Sequence, residues 1–312
     1  MRYLKKFKEL GKNDARIAGG KGASLGEMTQ AGIPVPPGFV ILADAFRKLV
    51  QDNHIVDKID DILKTVDIGQ TETVDKASKE IRELIKDANS PQDVLEEIVS
   101  AFEELDTEFV AVRSSATAED SSSASWAGEL ETYLNTTKNN LLETVKECWS
   151  SLFTQRAIFY RIEKKMDADE VAVAVVVQKM VQSEISGIAF TVHPVTKKPT
   201  SMVIEAGWGL GEAIVGGQVT PDTYVIDKEK KEITEKYPSS QEIMIDRVGN
   251  ETKEVPVPED KKEKQKLTDE EILELAEICI NIENHYSKPQ DIEWARENNK
   301  FFIVQSRPIT TL

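Results

Sequence analysis

Residues 109 to 128 read F-V-A-V-R-S-S-A-T-A-E-D-S-S-S-A-S-W-A-G, and no other stretch constrains the fold as much. Phe109 to Val112 is too short and too β-branched for a helix, so it is expected as a buried strand delivering Arg113 at its carboxyl end. Ser114, Ser115, Thr117, Ser121, Ser122 and Ser123 follow, bringing hydroxyls and little bulk. Such a segment lets backbone N-H groups approach a polyanion while the arginine supplies a charge and a fork of donors. Taken alone, the stretch reads either as a phosphate site or as a Ser-rich surface loop.

Charge sharpens that choice. The chain carries 39 basic and 55 acidic residues, a net charge of -16, which repels nucleic acid and anionic membranes. An anionic ligand must therefore meet a local cluster of Lys, Arg or metal. No apolar run approaches the roughly 20 residues of a membrane span. The start, M-R-Y-L-K-K-F-K-E-L, is amphipathic and has no apolar signal core, so a cytoplasmic protein is expected. Cys148 and Cys279 each fall in an apolar-periodic helix and are expected as buried free thiols.

With 312 residues the chain has room for about two domains. Gly19-Gly20-Lys21-Gly22 is expected to precede a helix over Ala23 to Ala31, which stops at Gly32 before Pro34, Pro36 and Pro37. Phe39 to Leu42 reads as a strand, and Asp44 as the cap of the next helix. Two helices are predicted between 71 and 105, and an amphipathic one through Leu141, Val145, Cys148, Trp149 and Phe153. Val171 to Val177 reads as a buried strand running into Gln178, Lys179, Met180 and Val181. A lobe boundary is placed here, giving lobes 1–180 and 181–312. The second lobe is strand-rich, with strands over Gly187 to Val192, Met202 to Ala206, Thr223 to Asp227 and Glu242 to Ile245. Pro258 to Lys266 reads as a solvated charge run, and Thr268 with Glu271 as a capping box that opens a helix.

The chain closes on two alternating runs around Glu297-Asn298-Asn299-Lys300, a β-hairpin. Period two groups Asp291, Glu293 and Ala295 on one face and Ile303, Gln305 and Arg307 on another, with Glu293 almost opposite Gln305. Carboxylate and amide oxygens so placed suit Mg²⁺ shared with phosphates, with Arg307 meeting phosphate oxygens; a solvated cross-strand polar pair is the alternative. Lys21 is not in a P-loop, because position 15 is Ala and Gly22 follows, yet a lysine at a Gly-flanked helix start can hold phosphate. Gly207-Trp208-Gly209-Leu210-Gly211 lacks the third glycine of a dinucleotide fingerprint and is read as a tight strand-to-helix turn. His54, His193 and His285 lack metal spacing, and His193 is read as a turn residue.

G-G-K-G-A-S-L-G-E-M, V-R-S-S-A-T-A-E-D, W-A-G-E-L-E-T, G-I-A-F-T-V-H-P-V-T and D-I-E-W with I-V-Q-S-R-P-I-T occur in order along the chain. Together they resemble the amino-terminal nucleotide-binding domain of the phosphoenolpyruvate synthase and pyruvate phosphate dikinase family, which rifampin phosphotransferase shares. The resemblance runs from about Lys12 to Pro308. It implies an α/β, ATP-grasp-like fold whose two lobes close over ATP. It implies that Lys21, Arg113 and Arg307 contact phosphate and act in catalysis, and that Gly128 and Thr132 belong to the loop covering the nucleotide. It further implies that Gln178, Lys179, Met180 and Val181 form the hinge beside the adenine, and that Glu293 and Gln305 bind Mg²⁺. The implied reaction splits ATP toward AMP and charges a histidine on a separate swivelling domain, from which phosphate passes to pyruvate. No histidine here has the Gly-rich context of that carrier, so this chain alone is not expected to make phosphoenolpyruvate. Two alternatives stand beside this reading: another final acceptor within the family, and a nucleotide-sensing module without turnover.

Overall fold

The computed structural model describes residues 2–117, 131–163 and 172–310. The chain divides into two compact units, one comprising Met1–Glu27 and Pro37–Met180, the other Met28–Pro36 and Val181–Leu312. Both mix helices with antiparallel sheets.

In the first unit the strands are β1 (Leu4–Lys6), β2 (Gly38–Ile41), β3 (Val110–Ala116), β4 (Thr132–Thr136) and β5 (Val173–Lys179), in the sheet order β1-β2-β5-β3-β4. Its helices include α1 (Ala15–Gln30, whose last residues join the second unit), α2 (Ala43–Asp52), α3 (Val56–Lys64), α4 (Thr71–Asp87), α5 (Gln92–Glu104), α6 (Leu141–Ser150) and α7 (Gln155–Glu163). The central strand β5 explains the V-A-V-A-V-V-V run. It is covered on both faces, so neither face alternates to polar residues. Val173, Val175 and Val177 share one face with Phe39, Ile41, Val110 and Val112, and join a core with Leu49, Ile81, Ile98, Phe102 and Trp149 of the helices. Val40, Ala111, Arg113, Ser115, Val176, Gln178 and Thr132 share the other face. There Val40 lies against Gly22 of α1.

The second unit carries β6 (Ile185–Phe190), β7 (Ser201–Trp208), β8 (Asp222–Asp227), β9 (Glu232–Tyr237), β12 (Gln290–Glu297) and β13 (Lys300–Pro308), in the order β13-β12-β6-β7-β8-β9. A separate hairpin pairs β10 (Ile243–Val248) with β11 (Glu251–Pro256), and the short α8 (Glu212–Val215) and the long α9 (Asp269–Tyr286) complete the unit. Ile292, Trp294, Ala189, Ile204 and Tyr224 form the buried face, and α9 contributes buried Ile272, Leu275, Ala276, Cys279 and Ile282. The capping box forms as expected: Glu271 N-H donates to Thr268 Oγ1 at 3.3 Å, and Thr268 N-H donates to the Glu271 carboxylate at 2.8 Å.

Several expectations need correction. The Gly19-Gly20-Lys21-Gly22 stretch lies inside α1 rather than before it; the helix breaks at Gly19 and Lys21 falls in the turn that follows. Arg113 is in mid-strand, because small Ser114, Ser115 and Ala116 extend the ladder against Val175, Ala174 and Val173. Asp44 is not the cap: Leu42 occupies that position, and the Asp44 carboxylate accepts from Arg47 at 2.7 Å. The charge run does not stay solvated to its end, since Lys266 is buried with its ammonium 2.7 Å from buried Asp222. The hairpin carries a β-bulge. Gln305 pairs with Glu293 but Ile303 pairs with Trp294, so Ile303 turns to the core while Gln305 and Arg307 stay on the polar face.

Candidate functional site

Ser115 organises the polar face of the first unit. Gly19 has φ 69° and ψ 170°, a conformation left almost entirely to glycine, and a Cβ there would lie 2.1 Å from Ser115 Oγ and 2.4 Å from the Ser115 carbonyl oxygen. The missing side chain lets the α1 backbone rest on β3. The Ser115 hydroxyl then donates to Ala18 O at 3.1 Å and accepts from Gly22 N-H at 3.4 Å. The helix turn that carries Lys21 is thereby docked on β3, where Arg113 precedes Ser115 by two residues on the same face.

Arg113 is buried, only 7% exposed, and pairs across the sheet with Thr132 of β4 on one side and Val176 of β5 on the other. Gln178, 2% exposed, lies two residues along β5 from Val176 and pairs with Ala111 and Gly38. Lys179 N-H donates to Pro37 O at 2.8 Å and Met180 N-H to Phe109 O at 3.1 Å, which fixes the path of the chain into Val181, the first residue of the second unit's main segment. Arg113, Thr132 and Gln178 thus share one sheet face, and the helix turn that carries Lys21 docks against that face through Ser115. Two arginine or lysine charges beside a hydroxyl and a buried amide can neutralise and orient a polyphosphate. Ser121, Ser122, Ser123 and Gly128 lie outside the described residues.

In the second unit, Glu293 and Gln305 are direct cross-strand partners. The row continues through Ile188 of β6, Glu205 of β7 and Thr223 of β8, all part-buried on the same face. Asp291 is the next residue of β12 on this face, and its Oδ2 accepts from Arg307 Nε at 2.9 Å and from Nη2 at 2.7 Å. The guanidinium, half exposed, is therefore oriented by a carboxylate before any ligand arrives. Burial, and after it the nearby Asp291 charge, push the Glu205 carboxyl above the usual glutamate range. Among the described residues no group of three or more His, Cys, Asp and Glu side chains is arranged to hold a metal. A hard cation at Glu293 and Gln305 would take its other ligands from phosphate and water, as Mg²⁺ does.

Glu205 and the Asp291 partnership escaped the sequence analysis. The signal was there for Glu205, a lone carboxylate in the apolar run Met202 to Ala206. The G-W-G-L-G segment is the tight turn expected, with Gly209 at φ 88° and its carbonyl accepting from Ser183 Oγ at 3.0 Å and Ser186 Oγ at 2.7 Å. His193 is a turn residue whose Nδ1 accepts from Val195 and Thr196 N-H at 3.2 and 3.3 Å. Both cysteines are buried and free. Among the described residues no helix is long and apolar enough to cross a membrane.

Residues 15–312 match the family model described as the pyruvate phosphate dikinase AMP/ATP-binding domain. The chain is 50% identical to a probable phosphoenolpyruvate synthase of Methanocaldococcus jannaschii, over 100% of this chain and 27% of that protein. It is 49% identical to a probable phosphoenolpyruvate synthase of Archaeoglobus fulgidus, over 97% of this chain and 41% of that protein. The phosphoenolpyruvate synthase of Pyrococcus furiosus is 43% identical over 100% of this chain and 44% of its own length. The chain thus spans less than half of each of these curated relatives.

Proposed function

The chain belongs to the pyruvate phosphate dikinase AMP/ATP-binding domain family, and from that premise we propose that it is the ATP-cleaving part of a phosphoenolpyruvate synthase-like phosphotransferase. In this reading the fold is ATP-grasp-like, with phosphate-binding residues in the first unit and phosphate- and metal-binding residues in the second. Lys21, Arg113 and Arg307 neutralise the phosphate chain, Thr132 and Gly128 belong to its cover, and Gln178 to Val181 border the adenine. Release of AMP requires the bond between the α and β phosphoryl groups to break, so negative charge develops on the departing α-phosphate. Fixed guanidinium and ammonium groups stabilise that charge without needing to reorganise, and supply most of the catalysis. Glu293 and Gln305 would hold Mg²⁺, whose charge would offset that of the phosphate groups. Asp291 orients the Arg307 guanidinium through its two hydrogen bonds. A histidine on a swivelling domain takes the β,γ-pyrophosphoryl group as AMP leaves, water removes the γ-phosphoryl group as inorganic phosphate, and the β-phosphoryl group left on the histidine passes on to pyruvate.

The observation that carries this reading is the docking of the Gly-Gly-Lys-Gly helix start on β3 through Ser115, two residues from buried Arg113. With the carrier domain supplied, labelling of its histidine from β-labelled ATP is expected to fall at least 100-fold in Arg113→Ala, about 2.7 kcal/mol of transition-state stabilisation. Labelling near the wild-type rate would refute the role of Arg113.

A further inference from the structure

β4 is an edge strand, and its ladder with β3 is irregular, with a register shift between Val110 and Val112. Thr132 therefore lies where the sheet itself holds the chain least firmly, and its partner Arg113 is held by a regular ladder only on the β5 side. Side chains make up the difference. Tyr133 pairs with Val112 on the helix-covered face, and the Glu131 side chain meets the helix α4 on that side, opposite Thr132. The Glu131 carboxylate accepts from Arg82 at 3.0 and 3.2 Å and also from the Tyr133 hydroxyl. Burial and that bond raise the Tyr133 pKa well above the usual range, which keeps the phenol protonated as a donor. Arg82 is braced in turn by Glu147 of α6 at 3.5 Å, and Glu147 by Lys86 at 3.3 Å. The Glu131 backbone carbonyl accepts twice from Ser114, from N-H at 3.1 Å and from Oγ at 2.8 Å. One residue thus joins α4, β4 and the residue after Arg113.

We propose that Arg82 and Glu131 are positioning residues that clamp β4 to β3 from behind and so set Arg113 and Thr132 on the opposite, ligand-facing side. The role rests on the nucleotide reading of Arg113 and Thr132. The pair is about a quarter to a third exposed, 23% and 31%, so its removal is felt in placement more than in global stability.

The test is calorimetric titration of the whole chain with MgATP. Glu131→Gln and Arg82→Met are each expected to raise Kd about tenfold, and the milder Tyr133→Phe about threefold, with Tm within a few degrees of wild type. Because the clamp acts through Arg113, Glu131→Gln should add little on an Arg113→Ala background. Amide exchange gives a reading without ligand: Glu131→Gln should speed exchange at Ser114 and Thr132. Loss of ATP binding in Arg113→Ala with both clamp variants unaffected, fully additive losses, or unchanged exchange would each overturn the clamp while leaving the nucleotide reading intact. A wild-type chain that does not bind ATP would overturn that reading and the positioning role with it.

Discussion

Glu205 shows how one side chain can carry a cost that the fold accepts. Its carboxyl is half-buried among part-buried neighbours, and the Asp291 carboxylate lies close enough to raise its pKa further. A carboxyl whose folded pKa is raised favours folding only while protonated: its contribution is present below the unfolded pKa and is lost as pH rises through the folded one. At neutral pH its charge is a net penalty. Glu205→Gln should therefore raise Tm at pH 7 and leave it nearly unchanged near pH 4, a difference that scanning calorimetry reads directly. A larger gain at pH 4 than at pH 7 would reverse the assigned sign. Lys266 makes the opposite case. Its ammonium and the Asp222 carboxylate are both fully buried, and the remaining valences are filled by Tyr224, Ser239 and the Lys266 backbone. In sequence Lys266 is the last residue of a charge run and looks solvated, because the residue that buries it lies 44 positions away.

At the scale of elements, the decisive pairing is α1 on β3. Gly19 permits it through a backbone conformation that L side chains avoid and through a contact that leaves no room for a Cβ. Gly19→Ala should destabilise the first unit by about 2 to 4 kcal/mol, combining backbone strain with displacement of Ser115. Urea unfolding would measure this, and a loss under 1 kcal/mol would mean that α1 can dock without the glycine. The closing hairpin was readable from its alternation and its Asn-Asn turn, but counting outward from that turn puts Glu293 opposite Val304 and only beside Gln305; the direct Glu293 to Gln305 pair needs the bulge. Its bulge was not readable. An extra residue at Val304 satisfies two demands at once, placing Ile303 in the core and Gln305 on the polar face, and only the packing of Trp294 and the neighbouring strand reveals both. Edge strands β1, β4 and β9 were missed for a related reason: short polar segments such as Glu232–Tyr237 are strands because a neighbour offers a ladder, not because of their own pattern.

For the molecule as a whole, charge sets the terms of ligand binding. A chain with net charge -16 has no long-range attraction for ATP, so local cations must supply all of it, and in the proposed reading Mg²⁺ is one of them. Titration with ATP should show saturable binding in the micromolar range, about -8 kcal/mol, with Mg²⁺, and binding at least tenfold weaker after EDTA. Equal affinity with and without the metal would remove Glu293 and Gln305 from the metal role.

The sequence by itself determined which residues could do phosphate chemistry. Lys21, Arg113, Glu293, Gln305 and Arg307 each stand out against their neighbours in charge, spacing or flanking glycines, and such contrasts are local. It also determined the main helices and the central strands, since apolar periodicity of 3.6 or a fully buried run is written in consecutive residues. The tertiary structure alone decided that Arg113, Thr132 and Gln178 share a face, that Arg307 is tied to Asp291, that Lys266 is buried, and that Arg82 reaches Glu131. Each of these depends on strand order and register, and those are set by which distant surfaces exclude water together rather than by any single segment.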